Sequence, residues 1–321
     1  MLQTPRCPIV TLEDHYWDAE LVAAWEKSDL AAPPEIEKRL RDLEELRLQE
    51  MDEVGIDFQV LSHAAPATQR LAGADAVALA RRVNDRLAAA VRKHPKRLGA
   101  FAVLPTSDPV AAADELARAV EKLGFQGAMI HGLANGAFVD DRRFWPIFAR
   151  AEALDMPIYL HPAQPHRGVV DLYYKEYAKD FPALLSAGWG YTVETATLAI
   201  RLVLSGVFDA HPRLRFILGH LGETLPFLVW RVDSALARPG QKAVKFRDAF
   251  CRHFWVTTSG FFSTPALQCC MMELGVDRIM FSVDYPFVRN PPAVRWLESV
   301  PINDEDKAKI ASGNAKRLLR L

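Results

Sequence analysis

Short apolar runs alternate along the chain with longer segments whose apolar residues recur at helical spacing. The apolar runs predict eight strands, at residues 8–10, 58–62, 98–104, 126–130, 157–160, 214–218, 254–258 and 278–283. The segments between them predict helices at residues 35–54, 74–93, 109–123, 143–154 and 193–208, another from about 223, and further helices to the C-terminus. Strands that alternate with helices favour a parallel sheet with crossover helices.

The strand count decides between the two common parallel architectures. Eight strand–helix units favour a closed (β/α)8 barrel, an α/β fold, over an open doubly wound sheet. No GxGxxG or GxxxxGK[ST] motif occurs, which also argues against a nucleotide-binding open sheet. With no linker-like boundary, we expect residues 1–321 to form one barrel domain, with long loops at 17–34 and 162–190.

Composition narrows the class of protein further. Half of the 321 residues are hydrophobic, and the formal net charge is −1, so no basic field indicates a nucleic-acid partner. The N-terminus lacks an apolar signal segment and no later run is long enough to span a bilayer, so we expect a soluble cytoplasmic protein without a membrane partner. The four cysteines lack CxxC spacing, which favours reduced thiols over disulfides or a zinc cluster.

The histidines fall into two groups along the predicted barrel. Three precede a strand and so lie on the N-terminal face, namely His94, His211 and His253. Six follow a strand, namely His15, His63, His131, His161, His166 and His220. Chemistry in such barrels occurs at the C-terminal ends of the strands, so the second group is the functional candidate.

Ligand-type side chains close four of these strands. Glu13 and His15 are two residues apart after the first strand, so both project from the same face. His161 closes the fifth strand, His220 follows the sixth and Asp284 follows the eighth. Each residue alone is compatible with an ordinary capped turn, but carboxylates and imidazoles that converge on one mouth favour a metal site.

These residues lie in motifs that resemble the amidohydrolase superfamily, and in particular its metal-dependent non-oxidative decarboxylases. That branch includes the γ-resorcylate, 2,3-dihydroxybenzoate and 5-carboxyvanillate decarboxylases. The resemblance extends nearly end to end. It is carried by residues 11–15 (TLEDH), 159–162 (YLHP), 194–196 (ETA), 208–214 (FDAHPRL), 219–223 (GHLGE), 230–233 (WRVD), 281–287 (FSVDYPF) and 314–318 (NAKRL). The ExH of the first motif resembles the hydroxybenzoate-type decarboxylases, since most of the superfamily begins with HxH.

The resemblance implies that Glu13, His15, His161 and Asp284 bind one divalent ion per subunit. Binuclear members carry a carboxylated lysine after strand four, and residues 126–160 contain no lysine, which also favours a single ion. Oxygen and nitrogen ligands without a thiolate are compatible with Mn²⁺, Zn²⁺ or Mg²⁺, with the first two favoured.

The resemblance also implies roles around the metal. Asp284 is the candidate acid, and His220 supported by Glu223 would orient the substrate or assist proton transfer. Candidate contacts for a small aromatic carboxylate are Arg47, His63, His131, Arg231, Tyr285 and Phe287. His63 and His131 depart from the resorcylate-type pattern, which has non-basic residues there, and the 162–190 loop also looks distinct.

Three functions follow as alternatives. The first is a carboxy-lyase that releases CO2 from a hydroxylated or amino-substituted aromatic acid. The second is a metal-dependent hydrolase of a lactone or amide, which the ExH motif and the missing lysine disfavour. The third is a non-catalytic binding protein, which the intact ligand set disfavours. The family resemblance further predicts a homodimer or homotetramer. The apolar stretch 225–230 is expected either to face a neighbouring subunit, with Arg231 reaching the site of that subunit, or to form an ordinary buried helix face.

Overall fold

The computed structural model describes residues 7–25, 32–240 and 242–321. Eight strands occur in the described part. They are β1 (Val10–Tyr16), β2 (Phe58–His63), β3 (Leu98–Ala100), β4 (Ala128–His131), β5 (Ile158–His161), β6 (Phe216–Leu218), β7 (Phe254–Thr257) and β8 (Ile279–Met280). Each overlaps a predicted strand, but β3 and β8 are much shorter than their apolar runs. Strand β1 begins at the last residue of the predicted run 8–10 and continues to Tyr16, so Glu13 and His15 lie within the strand and not after it.

Helices separate the strands and pack around them. Before β5 they are α1 (Ala19–Ala23), α2 (Pro34–Arg41), α3 (Glu45–Asp52), α4 (Gly73–Lys93), α5 (Pro109–Leu123) and α6 (Trp145–Leu154). After β5 they are α7 (Arg167–Val169), α8 (Gly190–Ser205), α9 (Val207–Ala210), α10 (His220–Glu223), α11 (Leu225–Leu236), α12 (Phe246–His253), α13 (Thr264–Leu274), α14 (Asn290–Ser299), α15 (Asp304–Ala308) and α16 (Asn314–Leu319). No helix within the described ranges is long and apolar enough to cross a bilayer.

The strands form a (β/α)8 barrel in sequence order. The continuous sheets are β1-β2-β3 and β4 to β8, and all pairs are parallel. Single parallel bridges span the two gaps, from Ala102 to Ala128 and from Asp14 to Tyr285. At the second gap the His15 amide donates to the Tyr285 carbonyl over 2.6 Å. The predicted barrel is therefore confirmed.

Alternate strand residues fill the barrel interior, as the two-residue period of a strand requires. The lower layers consist of buried apolar side chains, including Val60, Phe101, Met129, Ile217 and Met280. Helix α16 packs against the same cluster through Ala315, Leu318 and Leu319. Polar inward positions are therefore confined to the C-terminal ends of the strands.

Strand β1 contains a register irregularity between Thr11 and Asp14. Such a bulge re-aims the side chains that follow it. Leu12 packs in the interior cluster with Val10, while Glu13 and His15 above it also face the interior, as their contacts with the site show. The irregularity therefore allows an apolar floor and two polar ligand candidates on one strand.

Three segments differ from the sequence prediction. The loop predicted at 162–190 contains helix α7, a π-helical turn at Val170–Tyr174 and a 3-10 turn at Pro182–Leu185. The loop predicted at 17–34 contains helix α1, whose N-cap Asp18 accepts hydrogen bonds from the Glu20 and Leu21 amides, and residues 26–31 of that prediction lie outside the described part. The single helix predicted at 35–54 is two helices, because Asp42 is extended and its carboxylate accepts from the Glu44 and Arg47 amides. Local side-chain capping of this kind competes with helix continuation.

Candidate metal centre

Four side chains from three parts of the barrel converge at its C-terminal face. Glu13 and His15 come from β1, His161 is the last residue of β5, and Asp284 follows β8. One potential ligand atom from each lies within 4.8 Å of the others. The three ligand candidates other than Asp284 are buried, and Asp284 is partly exposed at the mouth.

The contacts within this group join imidazoles to carboxylates. His15 Nε2 lies 3.3 Å from Asp284 Oδ1, and His161 Nε2 lies 3.2 Å from Glu13 Oε1. The two imidazole rings meet edge to face with their centroids 4.7 Å apart. Both histidines therefore present Nε2 to a common point between two carboxylates.

Two atoms at that point lack hydrogen bonds. Among the described residues, Glu13 Oε1 and His15 Nε2 are buried and have no hydrogen-bond partner. Buried polar atoms are nearly always satisfied, and an unsatisfied cluster of acceptors indicates an ion-binding position. Two carboxylates and two imidazoles suit a divalent cation such as Mn²⁺ or Zn²⁺, so these residues fit a metal ion.

Further side chains hold these four in place. Ser62 on β2 lies 3.1 Å from His15 Nδ1, which fixes the ring so that Nε2 faces inward. The Ser282 hydroxyl accepts from the Glu13 amide over 2.8 Å. The Tyr159 hydroxyl donates to Glu13 Oε2 and lies 2.8 Å from Thr257 Oγ1. Such outer contacts orient ligands and tune their affinity for metal.

The sequence analysis missed Tyr159, Ser62 and Ser282. A signal was present for Tyr159, which is two residues before His161 on β5 and therefore shares its inward face. Ser62 required the strand register, because it is paired with His15 across β1 and β2. Short polar residues in a strand otherwise carry little information.

Close backbone approach explains the glycine that follows β6. A Cβ atom at Gly219 would lie 2.8 Å from Glu13 Oε2 and 3.3 Å from the Tyr159 hydroxyl. Any side chain at this position would therefore displace the carboxylate that faces the metal position.

A left-handed turn follows Gly219. His220, Leu221, Glu223 and Thr224 have positive φ angles, as does Gly222 between them. This conformation costs roughly 1–2 kcal/mol per non-glycine residue. The turn brings His220 Nδ1 to 2.7 Å from Glu223 Oε1, with His220 Nε2 3.9 Å from Glu13 Oε1. Backbone strain of this kind concentrates at functional sites.

The local charges hold the carboxylates ionised. Burial alone would raise the pKa of Glu13, but His220, His161 and His15 lower it well below its ordinary value. Burial also raises the pKa of Asp284, but the contacts of this carboxylate with His15 and His220 outweigh burial and hold that pKa below its ordinary value. Burial lowers the pKa of His15, which leaves the neutral ring that a metal requires.

His220 differs from the other imidazoles at the site. Burial would lower its pKa, but the carboxylates of Glu223 and Glu13 raise that pKa well above its ordinary value. His220 is therefore the imidazole at this site that is suited to hold a proton near the mouth.

Arg47 does not reach the mouth, contrary to the sequence prediction of a carboxylate contact. It is fully buried behind β1. Its guanidinium donates to the His15 carbonyl over 2.6 Å and to Gln59 Oε1 over 3.2 Å, and stacks 4.7 Å from the ring centre of Tyr285. The Tyr285 side chain is buried in this same layer and does not line the mouth either. Arg47 is therefore a buried structural cation between α3 and β1.

Asp14 belongs to the same buried layer. It accepts from Thr11 Oγ1 over 2.5 Å and from Gln59 Nε2 over 3.0 Å. Burial raises the pKa of Asp14 to about 7, although Thr11 and Arg47 oppose that rise. Asp14 therefore faces away from the cluster while its neighbours in sequence face into it.

His63 also differs from its predicted role as a substrate contact. Its Nδ1 donates to the Ala64 carbonyl over 3.0 Å, and its Nε2 accepts from the Asp18 amide over 2.9 Å. Burial lowers its pKa to about 4. With both nitrogens engaged inside the protein, His63 joins β2 to the start of α1.

The three remaining candidates lie at different distances from the cluster. His131 closes β4 beside His161, with 3.0 Å between their Nδ1 atoms. The Phe287 ring is 48% exposed at the mouth, 5.6 Å from the His15 ring. Arg231 is exposed on α11.

The chain is similar in sequence to a known protein family and to individual proteins. The amidohydrolase family model matches residues 13–321. A γ-resorcylate decarboxylase of Rhodococcus jostii (strain RHA1) is 41% identical over 302 residues, which cover 89% of this chain and 90% of that protein.

Solved structures of similar proteins cover nearly the whole chain. A 2,6-dihydroxybenzoate decarboxylase in complex with 2,6-dihydroxybenzoate has a TM-score of 0.89 at 39% identity, covering 98% of this chain and 100% of that one. A dihydroxybenzoic acid decarboxylase from Polaromonas sp. JS666, with bound manganese and the inhibitor 2-nitroresorcinol, also has a TM-score of 0.89 at 39% identity and covers 98% of both chains.

Proposed function

Because this chain belongs to the amidohydrolase family, we propose that it is a metal-dependent non-oxidative decarboxylase of aromatic carboxylic acids. It is a carboxy-lyase that releases CO2. The observation that carries this function is the convergence of Glu13, His15, His161 and Asp284, on a chain whose relatives at about 40% identity are decarboxylases of this type.

The proposed substrate is an ortho-hydroxybenzoate. The similar structure with 2,6-dihydroxybenzoate contains a carboxylate flanked by hydroxyls, and the 2-nitroresorcinol of the Polaromonas enzyme has a nitro group in that place. A carboxylate and a neighbouring phenol oxygen form a chelating pair. Such a pair would complete the coordination of an ion that Glu13, His15, His161 and Asp284 would hold.

The cofactor is one divalent ion, for which Mn²⁺ is the first candidate because it is bound in the similar Polaromonas structure. We assign Glu13, His15, His161 and Asp284 to hold it. When bound, such an ion anchors the substrate and polarises its carboxylate and phenol oxygens.

The chain supplies the proton chemistry. We assign Asp284 as the acid that protonates the ring carbon bearing the carboxylate. The C–C bond to the carboxylate then breaks, its electron pair restores the aromatic ring and CO2 leaves. Since the pKa of Asp284 is held low, the carboxylate must gain its proton after the substrate arrives, from the phenol. His220, held by Glu223, orients the substrate and assists this transfer.

The test is a screen of aromatic acids for CO2 release, with the metal quantified in the purified protein. We expect ortho-hydroxybenzoates to release CO2 and acids without the ortho hydroxyl to react poorly. One equivalent of metal per chain is expected in active protein. Two equivalents, or turnover that survives complete metal removal, would contradict the proposal.

We further propose that the protein is a homodimer or homotetramer. On α11, Phe227 is 82% and Trp230 is 71% exposed, next to Arg231. Large apolar side chains exposed on one helix favour a protein–protein contact. In this arrangement Arg231 would reach a neighbouring subunit's site, and a monomeric mass at full activity would rule that role out.

A further inference from the structure

Three buried hydroxyls, here called the hydroxyl row, lead through the barrel interior to Glu13. They belong to Tyr159 on β5, to Thr257 on β7 and to Ser259, which lies two residues beyond Thr257. All three side chains are fully buried. Strands β5 and β7 are not neighbours, because β6 lies between them. The hydroxyls therefore meet across the interior and not along one pair of strands.

The contacts within the hydroxyl row are short. The Tyr159 hydroxyl donates to Glu13 Oε2, and its oxygen lies 2.8 Å from Thr257 Oγ1. Thr257 Oγ1 in turn lies 2.7 Å from Ser259 Oγ. Both distances are typical of hydrogen bonds between hydroxyls, whereas the approaches of Thr257 to Glu13 Oε2 and of Tyr159 to Ser259 are longer, at 3.5 Å. The hydroxyls are therefore joined in the order Ser259, Thr257, Tyr159.

The ionised carboxylate of Glu13 fixes the direction of each hydrogen bond in the row. A carboxylate only accepts, and each hydroxyl has one proton to donate. Tyr159 uses its proton on Glu13, so Thr257 must donate to the Tyr159 oxygen. Thr257 then has no proton left, so Ser259 must donate to Thr257. Three protons thus serve three contacts, and all of them point towards Glu13.

The row also determines which oxygen of Glu13 remains for a metal. Oε2 accepts from Tyr159 and lies against the backbone of Gly219, where a Cβ atom would be only 2.8 Å away. Oε1 has no hydrogen-bond partner among the described residues and lies 3.2 Å from His161 Nε2. Hydrogen bonds in a series polarise one another, so each hydroxyl strengthens the donor that follows it. Thr257 and Ser259 therefore act on Glu13 through the phenol.

We propose that Thr257 and Ser259 are positioning residues of the metal centre, which hold the Tyr159 proton on Glu13 Oε2 and so keep Oε1 directed at the metal. This inference rests on the proposed function for the ion alone, and it holds for any substrate. The effect of Thr257 on metal binding must then pass through the Tyr159 hydroxyl. A side chain that only filled space would have the same effect with or without that hydroxyl.

The test is a double-mutant cycle on Thr257 and Tyr159, in which the Kd for Mn²⁺ is measured by competition with a chelator. Thr257→Val keeps the shape of the side chain without its hydroxyl, so Mn²⁺ binding should weaken by about 10-fold. Thr257→Ser retains a hydroxyl, and its Kd should stay within about 2-fold of the wild-type value. In the Tyr159→Phe background, Thr257→Val should change the Kd by less than about 2-fold. Ser259→Ala should weaken binding by about 3-fold, since Ser259 acts only through Thr257.

Thr68 provides a matched control. Its side chain is also fully buried, and its hydroxyl donates to the Leu104 carbonyl over 2.6 Å. Thr68→Val therefore loses a buried hydroxyl contact that does not lead to Glu13, and its Kd for Mn²⁺ should stay within about 2-fold of the wild-type value. Thermal unfolding is measured for every variant.

The inference is supported by a loss of affinity in Thr257→Val that Thr257→Ser restores and that disappears in the Tyr159→Phe background. An unchanged Kd in Thr257→Val overturns it, as does an equal loss in both backgrounds or in Thr68→Val. If Thr257→Val does not fold, Ser259→Ala in the same two backgrounds decides between these outcomes. A protein that follows the expected pattern but releases CO2 from no aromatic acid would support the hydroxyl row and contradict the proposed decarboxylation.

Discussion

The Tyr159 hydroxyl gives a sharp test of how Glu13 is held at the metal position. This hydroxyl donates to Glu13 Oε2, and burial together with Glu13 raises the pKa of Tyr159 well above its ordinary value. The phenol therefore remains a donor at all working pH values. Tyr159→Phe removes the donor and leaves the packing of the ring intact. Glu13 then loses the contact that fixes the direction of its other oxygen.

The magnitude follows from the type of contact. A hydrogen bond to a charged group contributes about 1.5–3 kcal/mol, and about 1.4 kcal/mol corresponds to a tenfold change in Kd. We therefore expect Tyr159→Phe to weaken Mn²⁺ binding by roughly 10–100-fold, the range typical of groups that support metal ligands. The assay is metal titration of the apo protein by calorimetry or by competition with a chelator.

The chain offers a matched control for this substitution. Tyr16 is also a fully buried tyrosine on the barrel, and its hydroxyl has no hydrogen-bond partner within the described residues. Tyr16→Phe should leave the Kd for Mn²⁺ within about 2-fold, since no hydrogen bond is lost. An unchanged Kd in Tyr159→Phe, or an equal loss in both variants, would refute the role assigned to the Tyr159 hydroxyl.

Three further predictions concern the surroundings of the metal. His220→Ala should reduce kcat by about 10²–10⁴-fold because the residue borders the reacting atoms. His211 lies at the opposite end of β6, so the kcat of His211→Ala should remain within a few-fold of the wild-type value. Equal losses of kcat in the two folded variants would show that the barrel orientation is wrong. Glu223→Gln removes the main group that raises the pKa of His220. If protonated His220 is required for turnover, the high-pH limb of the kcat/KM profile should move to lower pH by about one unit or more. A limb that does not move would exclude His220 as the group that must be protonated. Arg47→Met should lower the free energy of unfolding in urea by about 3–5 kcal/mol, as for the loss of one partner from a buried charge network. Arg41 is exposed, so Arg41→Met should change that free energy by less than about 1 kcal/mol. Similar values for the two variants would mean that the buried contacts of Arg47 contribute little to stability.

The barrel fold and the convergence of the candidate metal ligands could be predicted from the sequence. Glu13, His15, His161 and Asp284 each follow an apolar run, and parallel strands in a barrel bring such ends together, so their convergence was predictable without coordinates. The barrel itself followed from the count and alternation of the runs. Both inferences depend on periodicity, whereas the choice of these four residues as metal ligands, without His220, came from the family resemblance.

Other features depend on contacts between distant segments. Arg47 looked like a helical arginine that could meet a carboxylate, but the break at Asp42 turns its helix so that it lies against β1. The left-handed turn from His220 was not predictable, because four of its five residues are not glycine and local preference opposes their conformation. Tertiary packing determines the position of Arg47 and the turn at His220, and no short sequence pattern predicts such packing.

The measurement that tests decarboxylation most directly is isotopic analysis of the product. The reaction is run in D2O, and separately in water labelled with 18O, on an ortho-hydroxybenzoate that turns over. If Asp284 protonates the ring carbon, CO2 is released and the product carries one deuterium at the carbon that lost the carboxylate, with no solvent oxygen incorporated. In Asp284→Asn the rate should fall by at least about 10²-fold in protein that retains its metal. Incorporation of 18O into the organic product without release of CO2 would contradict this account and identify the protein as a hydrolase.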